Sequence, residues 1–412
     1  MNISLLVLAI PMYFILIGIE FVVTRIQAKK LYRLNDALTN ISCGITEQVS
    51  GVFAKVAVLA LYELIFRNVR LFDIPNTAVW IVVLFFAVDL CYYWAHRMSH
   101  EINLFWAGHV VHHQSEDYNL SVALRQGAFQ KFFTSFFYLP LAFLGFDPVT
   151  FLIIGGINTL YQFWIHTETI GKLGPLEWVF NTPSHHRVHH GKDPKYIDKN
   201  HAGVFIIWDR IFGTFQEEEE RPVYGITQPA NTWNPVYAQV QHFERIWIDL
   251  KQVPGIWNKI QLLFRKPGWL PEEMGGYRAP QEVDRSAYRK FEIRIPQQLN
   301  YYLLVQYIIV LAGVAFFLFM VPDFSFPVQL AGASLIFIAV ASLGLLLEGK
   351  PWAVYLEYGR LVATIVFLGY LFRGSGSAFY LAVSFSAILA FASIFWVRKF
   401  RPLLANLSLQ HV

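Results

Sequence analysis

Long apolar runs alternate with short polar stretches along most of this chain, and many of the runs outlast the elements of a soluble core. A helix needs about 20 apolar residues to cross a hydrocarbon layer ~30 Å thick. Ile3 to Val23 has that length, no basic residues before it and no small-residue cleavage site after it, and reads as an uncleaved membrane helix. The basic stretch Arg25 to Arg33 follows directly, which predicts a cytoplasmic end and an N-terminus outside. Gly44 to Phe66 is a weaker crossing, interrupted by Glu47, Lys55 and Glu63. Ala78 to Trp94 is a third, and it delivers His96 to the cytoplasmic side. Phe132 to Leu144 and Val149 to Ile165, joined by Gly145-Phe-Asp-Pro148, predict a helical hairpin that leaves that side and returns, so His166 emerges where His96 does.

From Thr167 to about Gln298 the chain is polar, with an acidic run at Glu217 to Glu220 and scattered prolines. Four further crossings are predicted near Tyr301 to Val321, Val328 to Leu347, Leu361 to Phe372 and Phe379 to Val397, the last ending in the basic Arg398 to Arg401. The pattern divides into N-terminal membrane helices (1–75), a histidine-rich core (76–220), a cytoplasmic segment (221–298) and a C-terminal membrane helix bundle (299–412).

Composition agrees: 55% of residues are hydrophobic and only 15% charged, whereas soluble domains carry about a quarter charged residues. The net charge of +4 is small, and its Lys and Arg gather at the ends of apolar runs, which orients helices and does not grip nucleic acid. Cys43 and Cys91 lie far apart with no CxxC, which excludes a disulfide framework and a thiolate zinc site.

The 13 histidines carry the chemistry. His96-Arg-Met-Ser-His100 follows the third crossing, then come His109-Val-Val-His112-His113, His166 and His185-His186-Arg-Val-His189-His190. Residues at i, i+3 and i+4 share a helix face, so each cluster can aim its imidazoles at a common point. One HxxHH arises by chance roughly once per hundred chains of this length, two together in ~10⁻⁴ of them. Neutral imidazole is the commonest metal ligand, and eight or more exceed the four that one tetrahedral ion uses, so two ions are implied. With almost no carboxylate or thiolate nearby, iron, zinc, copper and manganese remain open. Two redox-active irons at the water–lipid boundary suit dioxygen activation against an unactivated C–H bond. Asp89, two turns before His96, is a candidate hydrogen-bond partner of a ligand histidine, and Glu101 a candidate for positioning substrate or a ligand. Gln162, one turn before His166, is placed to orient or join the site; His201 is a weaker ligand candidate, and His242 and His411 are expected to lie outside it.

Together these blocks resemble the fatty acid hydroxylase/sterol desaturase superfamily of membrane di-iron enzymes, whose pattern is Hx3-4H, HxxHH and a distant (H/Q)xxHH. Trp94 to Glu101, Trp106 to His109, His112 to Ser121, Ala123 to Gln126, Tyr161 to Glu168, Asn181 to Gly191 and Ile207 to Phe215 are most similar to its alkylglycerol monooxygenase branch. The resemblance implies an all-α, polytopic membrane protein with a cytosol-facing, histidine-rich di-metal site and residues 76–220 as the di-iron hydroxylase core. It implies His96, His100, His109, His112, His113, His186, His189 and His190 as metal ligands, with His166 and His185 added, and Gln162 where other members have a histidine. Two Fe ions and tetrahydrobiopterin would be the cofactors, and O2 would hydroxylate the ether-linked carbon of an alkylglycerol to give a fatty aldehyde and glycerol. The competing readings are a sterol or fatty-acyl hydroxylase/desaturase fed by an electron donor protein of the haem type and NAD(P)H, and a non-catalytic metal-binding membrane protein. A bacterial cytoplasmic membrane and the endoplasmic reticulum both suit a site facing the cytoplasm.

Overall fold

The computed structural model describes residues 5–409. Among them there is no strand, only two isolated antiparallel bridges, Phe180 with Phe205 and Gly191 with Tyr224. Six of the described helices are long and apolar enough to cross a membrane. Contacts divide the chain into two units, residues up to 230 with 239–290, and residues 231–238 with those from 291 onward.

The first unit contains α1 (Leu5–Ile26), α2 (Leu34–Val69), α3 (Ala78–Glu101), α4 (Asn103–His113), α5 (Gln130–Thr134), α6 (Leu139–Leu144), α7 (Pro148–Trp164), α8 (Pro183–His189), α9 (Ile207–Phe212), α10 (Pro235–Gln252) from its residue 239 onward, and α11 (Ile256–Phe264). The weak crossing at Gly44 is the second half of a longer helix, because α2 starts ten residues earlier with a polar, buried face. Asp36 there accepts from Asn40 Nδ2 (2.8 Å) and Ser115 Oγ (2.7 Å), and Asn40 Oδ1 accepts from Arg125 (3.1 Å), so this half of α2 docks on the loop after α4. As a membrane-length element α2 qualifies only as two segments bent by 43°.

The hairpin expected between Phe132 and Ile165 differs from expectation in its first arm. That arm is not one helix but α5, a 3-10 turn over Ser135–Tyr138 and α6, with Pro140 at the start of α6 where it cannot continue a preceding helix. Neither arm is among the helices long enough to span. The turn itself forms as the sequence predicts. Gly145 ends α6 at φ 102°, and a Cβ there would sit 1.9 Å from the Phe72 carbonyl oxygen; Asp147 then caps α7 through Thr150 N (2.8 Å). Between α3 and α4, Ile102 leaves helical geometry (φ −116°, ψ 118°), and this break turns His109 and His113 back toward His96 and His100.

The second unit is built on α12 (Gln297–Met320), α13 (Phe326–Leu347), α14 (Ala353–Leu371) and α15 (Ser377–Val397). The apolar run of the third of these begins only after Glu357 and Arg360, yet the helix extends eight residues further toward its N-terminus. Those two charges are buried and paired with each other, Tyr302 Oη (2.6 Å) and Ser342 Oγ (2.7 Å) donate to Glu357, and Arg360 donates to Gln306 Oε1 (2.7 Å). A paired, fully hydrogen-bonded charge set is the form in which ions are tolerated between membrane helices. α15 leaves Leu381, Phe385, Ile388 and Phe391 exposed, as a lipid-facing helix does.

Candidate metal centre

Nine histidines collect into two buried groups. His96 and His100 of α3, His109 and His113 of α4 and His189 of α8 form the first; His112, His166, His186 and His190 form the second; within each group the candidate ligand nitrogens all lie within 4.8 Å of one another. The two HxxHH motifs therefore do not each serve one point. On α4 the i and i+4 residues, His109 and His113, turn to the first group and the i+3 residue, His112, to the second. On α8 and at His190, which caps it, the roles reverse: His186 and His190 serve the second group, His189 the first. A step from i+3 to i+4 rotates a side chain by about 100°, enough to send neighbouring imidazoles to different centres.

Backbone carbonyls fix the ring orientations. His96 Nδ1 donates to His201 O (2.8 Å), His112 Nδ1 to Arg125 O (2.7 Å), His166 Nδ1 to Gln162 O (2.7 Å) and His189 Nδ1 to Lys199 O (2.9 Å). A carbonyl only accepts, so in each of these rings the proton is on Nδ1 and Nε2 presents a lone pair inward. His112 Nε2 and His166 Nε2 are 3.2 Å apart. Protonation does not relieve that approach, because burial pushes His112 down to about 4 and His166 well below the ordinary histidine value. Two lone pairs at this distance, sealed from water, are reconciled by a cation between them. In the first group, the buried Nε2 atoms of His100 and His189 likewise have no hydrogen-bond partner. Burial first, then neighbouring imidazoles, also hold His113, His189 and His190 far below their usual range, which keeps them in the neutral form that binds metal.

Asp89 is fully buried and bonds to no histidine. It accepts from Asn158 Nδ2 (2.7 Å), Val204 N (2.8 Å), Phe205 N (2.9 Å) and Trp208 Nε1 (3.0 Å), and a Cβ on Gly203 would fall 2.7 Å from its Oδ1. It thus secures the loop whose His201 carbonyl orients His96, instead of orienting a ring itself. Asn158 continues the network to Gln162, whose side chain donates to Asn158 Oδ1 (2.8 Å) and whose carbonyl orients His166. Glu101 pairs with Arg97 (2.9 Å) and is about a quarter exposed (23%), beside His100 without bonding it. His185 lies in neither group: its ring stands edge-on to Phe215, 5.4 Å between centroids.

His201 is fully buried, neither ring nitrogen makes a hydrogen bond of good geometry, the Asp198 backbone offering a weak one, and its ring centroid lies 5.0 Å from that of His100 and 5.6 Å from that of His189. Asp209, which received no role from the sequence, accepts from His201 N (2.7 Å), Ala202 N (2.8 Å) and Thr214 Oγ1 (2.7 Å). Arg125 is the other omission: buried, it donates to Val111 O (2.6 Å) and Gln114 Oε1 (2.7 Å) while its carbonyl orients His112. Both stand in motif blocks, but the carbonyls and amides they organise leave no mark on side-chain identity. His242, expected outside the site, hydrogen-bonds Asn103 Oδ1 (2.9 Å) in the turn between His100 and His109. His411 lies outside the described residues.

The fatty acid hydroxylase family matches over residues 81–214, the stretch that holds both histidine groups. Alkylglycerol monooxygenase from Homo sapiens is 43% identical over 359 residues, 85% of this chain and 79% of that protein, and the Xenopus tropicalis protein of the same name is 41% identical over 356 residues, 84% and 78%. Ornithine lipid hydroxylase OlsE from Rhizobium tropici is 32% identical over 127 residues, 30% of this chain and 38% of that protein. No solved structure matches. The chain belongs to the fatty acid hydroxylase family, in its alkylglycerol monooxygenase group.

Proposed function

We propose that this protein is a membrane di-iron monooxygenase that hydroxylates the ether-linked carbon of an alkylglycerol. The observation that carries the metal is the inward, unprotonated approach of His112 and His166 at 3.2 Å. The first ion would be held by His96, His100, His109, His113 and His189, the second by His112, His166, His186 and His190. An all-imidazole donor set suits a redox-active first-row metal, and bound iron supplies the dioxygen chemistry. The reaction consumes O2, two electrons and two protons; one oxygen atom enters the C–H bond beside the ether oxygen and the other leaves as water. The resulting hemiacetal breaks its C–O bond to release a fatty aldehyde and glycerol.

Substrate class follows from position as well as from kinship. His96 and His100 stand at the polar end of a membrane-length helix, and the ether carbon of an alkylglycerol is where its apolar chain meets its polar head. Carbonyl partners fix the rings of His96, His112, His166 and His189 there, and the burial of all nine histidines keeps water from the site. Tetrahydrobiopterin is the two-electron donor of this reading, resting on the family likeness, with no side chain assigned to it. The basic residues after α1 and after α15 support a cytoplasm-facing site, in a bacterial cytoplasmic membrane or the endoplasmic reticulum.

The test is lipid mass spectrometry of purified, iron-loaded protein given an alkylglycerol, O2 and either tetrahydrobiopterin or a haem protein with NAD(P)H. Aldehyde formed with the pterin alone supports the reading. Aldehyde formed only with the protein electron chain would replace the reductant, and hydroxylated sterol or acyl lipid with intact ether would replace the substrate.

A further inference from the structure

The helical pair α10–α11 carries an apolar surface that no described part of its own unit covers. On α11, Ile256, Trp257, Ile260 and Phe264 recur at helical spacing along one stripe and are 75%, 67%, 40% and 55% exposed, while Leu262 on the other face is buried. Trp247 of α10, 59% exposed, extends the stripe across a shallow groove that the two helices share. A contiguous apolar stripe of this kind marks an interaction surface, not ordinary exposure.

Two features identify what meets it. First, the stripe is edged by cations: Lys251, whose Nζ lies 5.1 Å from the centre of the Trp247 ring, and Lys259, with Arg265 and Lys266 just past the end of α11. Tryptophan with lysine on a short amphipathic helix is the composition of an element lying in the headgroup layer. Second, the end of α11 is tied to the end of α3, a helix long and apolar enough to cross a membrane. Asn103, two residues past the last residue of that membrane-length helix, donates its backbone N–H to Arg265 O (2.9 Å) and its side-chain amide to Leu262 O (3.0 Å). His242 of α10 holds the remaining Asn103 oxygen at 2.9 Å.

We propose that α10–α11 is an interfacial anchor: it lies in the same membrane leaflet boundary from which α3 emerges, with the Trp257 stripe among the upper acyl chains and Lys251 and Lys259 on anionic phospholipid headgroups. This surface would set the depth of the His100–His109 turn relative to the lipid, and the inference holds whichever lipid the metal centre oxidises.

The experiment uses the full chain, with Cys43→Ala and Cys91→Ala, reconstituted in bilayers of phosphatidylcholine with or without phosphatidylglycerol. A nitroxide is placed at 257, at 260 or, as a reference on an exposed acidic position, at Glu282. Labels at 257 and 260 are expected to collide more with oxygen than with a water-soluble nickel chelate, and the label at 282 the reverse. Lys251→Gln with Lys259→Gln is expected to make the 257 label shallower in the anionic bilayer and to leave it unchanged in phosphatidylcholine alone. Water-like collisions at 257 and 260, or exclusion of both reagents with dipolar broadening from a second copy, would overturn the anchor. Unchanged depth of the double variant in the anionic bilayer would overturn the role given to the lysines. Metal content measured on each variant checks that the core has folded.

Discussion

His112 and His166 direct unprotonated Nε2 atoms at each other across 3.2 Å, each having given its Nδ1 proton to a carbonyl, of Arg125 and of Gln162 respectively. Nothing among the described residues makes this approach favourable, and a shared cation would.

Replacing His112 by Ala deletes one of four imidazoles of the second group and leaves the first group's five intact. We expect about one metal ion per chain to be lost and turnover to vanish, read by metal analysis and aldehyde release on the same preparation. Two ions retained with unchanged turnover would remove His112 from the ligand set.

Asp89→Asn exchanges an acceptor for an amide that cannot accept from Val204 N, Phe205 N, Asn158 and Trp208 together. Because this loop orients His96 and, through Asn158 and Gln162, reaches His166, a loss of roughly 10- to 100-fold in metal affinity or activity is expected, as for residues supporting metal ligands. Glu101→Gln, which loses only the Arg97 pair seen here, separates the two: a larger defect in Glu101→Gln than in Asp89→Asn would show that Glu101 touches substrate or reductant.

His201→Phe keeps a planar aromatic ring, somewhat larger than imidazole, and removes two buried nitrogens that no well-formed hydrogen bond holds. If His201 joins the first ion when metal binds, the variant will release metal to a chelator faster and show an altered cobalt(II) absorption spectrum. A spectrum and release rate equal to the parent's would leave His201 a packing residue.

His242→Ala leaves Asn103 Oδ1 without its partner in the turn between His100 and His109. The expected cost is about 1 kcal/mol of stability, with both metal ions retained. A thermal-stability measurement checks the first, and metal analysis the second.

Metal-free protein should be acid-labile. Burial holds His109, His113, His166, His186, His189 and His190 well below their unfolded value of 6.5. Between the folded and unfolded pKa values the unfolded chain therefore binds more protons. Stability is complete above that value and falls as the pH drops through it. Heat-inactivation rates of chelator-treated protein should rise steeply from pH 7 to pH 5, and a flat profile would show that these rings are not buried and neutral.

The sequence made the membrane helices and the histidine motifs legible because hydropathy and i, i+4 spacing are local properties. Which histidine group each ring joins was not legible: His112 and His113 are adjacent, yet they part because α4 lies between two sets of partners. Asp89 was readable as a costly buried acid, but two of its four partners are backbone amides 115 and 116 residues away, and such donors have no residue type to announce them. The Glu357–Arg360 pair shows the converse, since charges that interrupt an apolar run end the run on paper and not in a helix where they neutralise each other.

The most direct measurement is iron per chain in purified protein whose specific activity toward an alkylglycerol is followed as metal is added back. Two histidine groups, each closed by its own ligands, predict that activity reaches its maximum at two irons per chain and that Mössbauer spectra contain two iron signals. Full activity at one iron per chain, with a single signal, would contradict the two-centre site.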